Sequence, residues 1–275
     1  MAAVGIVGAG RAGLGLGLAL ARVGHQVRLH ARHPRPVPAP LAITVGELPP
    51  WLSQVEVILL AVPDDAIADV ACGLAAAGLV KPGQTVLHLS GALGRDVLAP
   101  LAPSGAALGS LHPLQSLSDP ATAPQRLSGA VAAVEGDERA VVVATALARG
   151  LGMEPVTIPA ASKPTYHAAA VFAANFLVTL AATSQRLFVR AGLPPDGATR
   201  ALVALMQGTL DNVRAAGPAA ALTGPVARGD VDTIRKHLAA LDGADAELYR
   251  ALSRAALAVS DLDPERRRAI ADVLG

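Results

Sequence analysis

A strand that runs into a glycine turn and then into a helix stands at the start of this chain. Ala2-Ala3-Val4-Gly5-Ile6-Val7 is short, apolar and β-branched, as a buried strand requires. It is followed by Gly8-Ala9-Gly10-Arg11-Ala12-Gly13 and by an apolar helical pattern from Leu14. In this G-x-G-x-x-G spacing one glycine permits the tight turn, one lets backbone approach a pyrophosphate, and one lets helix and strand pack closely. The helix N-terminus adds unpaired N–H groups and partial positive charge for phosphate oxygens. The context therefore predicts a dinucleotide site over residues 8–13; the bland alternative is a glycine-rich packing turn.

The rest of the first half repeats the rhythm. His25–His30, Leu41–Val45, Val55–Val62, Gln84–Leu89, Ala106–Leu111, Ala130–Val134 and Met153–Ile158 read as strands. Helices are expected over Gly13–Val23, from Pro63-Asp64-Asp65 to about Leu79, and over Arg139–Gly150. Val55–Val62 is apolar throughout, the pattern of a strand buried on both faces. The expected fold is α/β: a doubly wound, mostly parallel Rossmann sheet. From Ser162 no strand-like run remains, which predicts an all-helical C-terminal domain. The expected domains are 1–160 and 161–275. Helices should run from Ser162 to Gly192, over Pro194–Ala216 with a stop at Gly217, over Val231–Leu241 behind an Asp230 cap, over Ala244–Val259, and from Asp263-Pro264 to about Leu274.

Composition narrows the partners. Hydrophobic residues make up 52% of the 275, enough for a sizeable core, whereas aromatics are only 2%. With a net charge of +1 and no basic stripe, nucleic acid is not an expected partner. The single cysteine, Cys72, reads as a small buried hydrophobe in a reducing compartment. No signal peptide is read at the N-terminus, and a cytoplasmic location is expected. The most membrane-like run, Ala168–Ala182, is shorter than the ~20 residues that span a bilayer, so no membrane partner is expected. No metal site is expected.

The dinucleotide can be specified further. NAD sites usually place an acid at the end of the second strand to bind the ribose 2′-hydroxyl. Here that position runs into His30-Ala31-Arg32-His33. Arg32, with His33 or Arg35 assisting, suits a 2′-phosphate, so NADP is the expected cofactor. Arg11 either approaches the phosphates or points to water. Ala61-Val62-Pro63, at the carboxyl end of the apolar strand, is expected to offer backbone to ribose and nicotinamide, while Asp64 and Asp65 read first as helix caps.

Hydride transfer needs a substrate held over the nicotinamide and one group to give or take a proton. The candidates are Ser90, His112, Lys163, His167 and Asn175, with Tyr166 among them. Each has a structural alternative: a turn for Ser90 and for His112 before Pro113, a solvated first-turn lysine for Lys163, a core or interface histidine for His167, and a helix-interface amide for Asn175. Lys163 and His167 are four apart and share one helix face. In Leu222–Asp230, Arg228 is free to hold a carboxylate or to join subunits.

Six segments carry a family resemblance: GAGRAG (8–13), LLAVPDDAI (59–67), HLSGALG (88–94), SLHPLQS (110–116), KPTYHAAAVFAANF (163–176) and ALTGPVARGD (221–230). The N-terminal half resembles the Rossmann-like superfamily of pyrroline-5-carboxylate reductase, prephenate dehydrogenase and 6-phosphogluconate dehydrogenase-like proteins. The whole chain resembles NADP-dependent oxidoreductases that pair such a domain with a helical C-terminal domain of unknown function. The resemblance implies NADP binding and a homodimer made through the helical domain. It aligns Ser90 and His112 with the serine and the His-Pro histidine of prephenate dehydrogenases. The residues after His112-Pro113 differ from that family, and the Lys-Asn spacing of β-hydroxyacid dehydrogenases is not reproduced by Lys163 and Asn175. The implied activity is hydride transfer between NADP(H) and a small polar carbonyl, imine or alcohol. The competing readings are a non-catalytic NADP-binding sensor or scaffold, and a reductase of a deazaflavin-type cofactor.

Overall fold

The computed structural model describes all residues, Met1–Gly275. Eight strands form one sheet: β1 (Ala3–Val7), β2 (Gln26–Ala31), β3 (Ile43–Val45), β4 (Val57–Leu60), β5 (Thr85–His88), β6 (Ala107–Pro113), β7 (Val131–Gly136) and β8 (Glu154–Thr157). Their order is β3-β2-β1-β4-β5-β6-β7-β8. All neighbours pair in parallel except β6 and β7, which are antiparallel. The helices of this part are α1 (Arg11–Arg22), α2 (Ile67–Ala76), α3 (Ala123–Leu127), α4 (Glu138–Gly150) and α5 (Lys163–Ala173). The expected doubly wound sheet is thus the observed one. Its β4 and β5 segments are buried at every position, because helices cover both faces.

The order reverses between β1 and β4, so the turn after β1 lies beside the end of β4. In open α/β sheets that reversal opens a crevice at the carboxyl edge. The glycine turn is built for close approach. Gly8 has φ +107°, and a Cβ there would collide with the Ala61 carbonyl. A Cβ on Gly13 would collide with the Gly8 carbonyl. Gly10, by contrast, has open space where a Cβ would stand.

Two compact units divide the chain, Met1–Asn175 and Phe176–Gly275. The helix α5 therefore counts with the first. The second holds most of α6 (Asn175–Arg190), followed by α7 (Pro195–Ala221), α8 (Pro225–Arg228), α9 (Val231–Ala240), α10 (Gly243–Val259) and α11 (Pro264–Leu274). Its small core gathers Val226, Ile234, Leu257, Ile270 and Leu274. Asp230 caps α9 as expected, accepting from the Thr233 N–H at 3.0 Å, and Asp263 caps α11 in the same way through Arg266.

Three local expectations are corrected. The helix expected from Ser162 to Gly192 is broken at Ala174 into α5 and α6. Gly217, by contrast, interrupts the helix where the stop was expected, with non-helical φ +78°, and helical geometry resumes beyond it to Ala221. Cys72 is exposed, on the outer side of α2. The apolar helical stretch Ala160–Arg190, taken whole, has the length and composition to cross a membrane, longer than the run read from sequence. Its first turn is nevertheless fastened to the sheet through Lys163, as described next.

Candidate active site

Because β1, β4, β5 and β6 run in parallel, their carboxyl ends deliver four short segments to one edge: Gly8–Gly13, Ala61–Asp64, Leu89–Gly91 and His112-Pro113. They surround a cleft of about 540 Å³, within the range of small-ligand sites. Gly10, Arg11, Ala12, Ala61, Val62, Pro63, Asp64, Leu89 and His112 line it, and Gln115–Ser118 close one wall. Gly8, Ala9 and Gly13 shape the turn behind this surface. Arg32 is exposed in the bend after β2. The Arg35 guanidinium donates to the Ala9 carbonyl, which fixes a second cation at the glycine turn.

Ser90 is buried, and its hydroxyl is fully used. It donates to Asp64 Oδ2 at 2.7 Å and accepts from the N–H groups of Ala92 at 3.1 Å and Leu93 at 3.0 Å. Asp64 is therefore no helix cap: its side chain makes no capping bond and instead receives Ser90. His88, also buried, accepts from the Ser90 N–H through Nδ1, so its Nε2–H donates to the Gly94 carbonyl. Burial, and secondarily the Lys163 charge, lower its pKa to about 4, which keeps it neutral at pH 7.

Lys163 is fully buried, not a solvated first-turn residue. Its Nζ donates to the Ser90 carbonyl at 3.1 Å and to the Ser110 hydroxyl at 2.8 Å. Ser110 in turn leans on Glu135 Oε2, which also accepts from the Arg95 N–H. Burial lowers the Lys163 pKa, while Glu135 and Asp64 act to raise it. The lysine thus ties α5 to the ends of β5 and the middle of β6.

One turn further on, α5 presents Tyr166 and His167 to His112. The Tyr166 hydroxyl lies 3.0 Å from His112 Nδ1, with the rings edge to face. The His167 ring stands 5.9 Å from that of His112, and its Nδ1 is buried without a hydrogen-bond partner. Both imidazoles sit directly over Gly91: a Cβ there would lie 2.7 Å from His167 Nδ1 and 2.9 Å from His112 Nε2. Burial first, then the neighbouring His167 and Lys163, lower the His112 pKa to about 4. Asn175 is exposed at the start of α6, outside the cleft lining.

The structure therefore brings Ser90, His112, Lys163 and His167 into one cluster beside the glycine turn. Four members escaped the sequence reading: Asp64 as the acceptor for Ser90, Gly91 under the imidazoles, and Ser110 with Glu135 around Lys163. Only Glu135 carries a sequence signal, as the one acid in the otherwise apolar Val131–Gly136.

Comparison with known proteins agrees with this architecture. Residues 1–113 match the Rossmann-like domain, and residues 130–256 match a domain of unknown function, DUF2520. A search of curated proteins finds no match. Among solved structures, a candidate NADP oxidoreductase from Bacteroides fragilis is 23% identical, with 93% of this chain and 97% of that one covered at a TM-score of 0.75. A Thermotoga maritima protein is 24% identical, with 94% and 98% covered at 0.68. The pyrroline carboxylate reductase of Plasmodium falciparum, solved with NADP bound, is 12% identical, with 99% and 95% covered at 0.61. Likeness at these identities establishes the fold.

Proposed function

Since the chain joins a Rossmann-like domain to a DUF2520 domain, we propose that it is an NADP-dependent oxidoreductase acting on a small polar metabolite. One observation carries this reading: a single cleft runs from the glycine turn to His112 and Asp64. Gly10, open at its Cβ position, fits the close passage of a pyrophosphate. Gly8, Ala9, Arg11, Ala12 and Gly13 would form the cradle, Arg32 with Arg35 would meet the 2′-phosphate, and Ala61-Val62-Pro63 would flank the nicotinamide ribose. When bound, the cofactor supplies or accepts the hydride.

The chain's own groups handle the remainder. His112 exchanges a proton with the substrate oxygen or nitrogen. Ser90 holds the Asp64 carboxylate at the cleft wall, Lys163 fixes the Ser90 segment, and His167 belongs to the substrate side, whereas Asn175 stands outside the cleft. The reading extends to a cytoplasmic homodimer. It is supported by apolar side chains left exposed on the second unit, among them Val178 at 70% and Leu205 at 66%, which a second copy would cover.

The test is direct. NADPH should bind the purified chain more tightly than NADH, read by quenching or enhancement of nicotinamide fluorescence. A metabolite screen by thermal shift with NADPH present should then find a stabilising ligand. Absence of NADPH binding defeats the proposal.

A further inference from the structure

The Tyr166–His112 pair decides which proton His112 offers. Tyr166 has a single hydrogen-bond partner, His112 Nδ1 at 3.0 Å. Burial raises the phenol pKa, so the hydroxyl keeps its hydrogen at neutral pH. Nδ1 is the one protein acceptor within reach of the Tyr166 O–H, and the hydroxyl is the stronger donor of the two, so Tyr166 donates and Nδ1 accepts. The hydrogen of neutral His112 is then on Nε2. That nitrogen has no protein partner, and the ring lines the cleft. It clears the backbone only because residue 91 is glycine, since a Cβ would stand 2.9 Å away.

We propose that Tyr166 is a positioning residue that locks His112 as a neutral Nε2–H donor toward the cleft, and that the substrate group it receives is a carbonyl. This rests on the oxidoreductase reading and narrows its substrate class. A neutral N–H seeks a lone pair. A carbonyl oxygen has two, whereas an iminium nitrogen, the form of an imine that accepts hydride, has none. In the reduction, the hydride forms a C–H bond at the carbonyl carbon, the C=O π pair moves to oxygen, and that oxygen takes the Nε2 proton. The Tyr166 hydrogen passes to Nδ1 as Nε2 gives up its own, and water reprotonates the phenolate. His112 stays neutral overall. His167, edge-on to His112, opposes protonation of that ring.

The first test needs no substrate. Nitrogen-15 spectra of the full chain labelled at histidine should report His112 as the Nε2–H tautomer at pH 7. Tyr166→Phe should shift it toward a tautomer mixture while the melting temperature and NADPH affinity hold. An Nδ1–H tautomer in the native chain, or an unchanged tautomer in Tyr166→Phe, overturns the lock. The second test uses NADPH oxidation by short aldehydes, ketones and 2-oxo acids, set against the cyclic imines 1-pyrroline and 1-piperideine. Carbonyls alone should be reduced, and Tyr166→Phe should lower kcat roughly 10²-fold without moving the NADPH KM. Reduction of the imines alone, or of neither set by a chain that binds NADPH, overturns the carbonyl assignment. Failure to bind NADPH would strike the oxidoreductase reading and leave the tautomer result standing.

Discussion

Lys163 Nζ donates a 2.8 Å hydrogen bond to the Ser110 hydroxyl, which joins the first turn of α5 to the middle of β6. The ammonium is fully buried, and Glu135 is the nearest buried acid that favours its charge. Lys163→Met should therefore destabilise the chain by roughly 3 kcal/mol, since it leaves Glu135 buried without its counter-charge. Urea unfolding of the full chain measures this. A loss within about 0.5 kcal/mol, the usual size for a surface position, would mean that the lysine is solvated after all.

The second and third glycines of the turn should part company. Gly13→Ala puts a methyl against the Gly8 carbonyl, an overpacking expected to cost about 1–3 kcal/mol and to lower the melting temperature. Gly10→Ala meets nothing and should leave the melting temperature nearly unchanged while weakening NADPH binding. Melting curves with and without NADPH separate the two effects.

Arg32 should set the choice of cofactor. It is exposed, forms no ion pair, and stands where NAD sites carry an acid. Arg32→Ser should weaken NADPH about 10- to 100-fold, the worth of a charge-assisted hydrogen bond, and leave NADH nearly unaffected. Equal losses for both cofactors would remove Arg32 from the 2′-phosphate.

Acid should loosen the first unit before it reaches the carboxylates. His88 and His112 have folded pKa values of about 4, below the ordinary 6.5, chiefly through burial. The unfolded chain therefore binds more protons between these values, and stability rises with pH across that window. It should be complete above about pH 6.5 and fall toward pH 4 by up to about 1.4 kcal/mol per pH unit for each histidine. Unfolding midpoints at pH 7, 6 and 5 check the slope, and replacing His88 with Gln should reduce it.

The parts of this fold that depend on local pattern are plain in the chain. The strand runs, the glycine turn and the caps at Asp230 and Asp263 follow from neighbours a few residues away. The break at Ala174 is not legible, because Ala168–Leu177 is continuously helical in pattern and holds no glycine or proline. Nor is the fate of Lys163: its partners come from residues 90 and 110, and only the sheet order brings them under α5. Asp64 misleads for the same reason. An acid opening a helix usually caps it, yet here the parallel neighbour β5 delivers Ser90 within 2.7 Å.

The one antiparallel pairing in the sheet has a consequence for how the chain is divided. Antiparallel pairing sets Glu135 of β7 opposite Ser110 of β6. The acid thereby enters from the second matched region, 130–256, as does Lys163, while Ser90, Ser110 and His112 belong to the first, 1–113. The polar heart of the site is stitched across the seam between two sequence families. Severing the chain between 113 and 130 would strand a buried lysine and a buried glutamate on one side and their hydroxyl and carbonyl partners on the other, so neither region is a free-standing half of this protein.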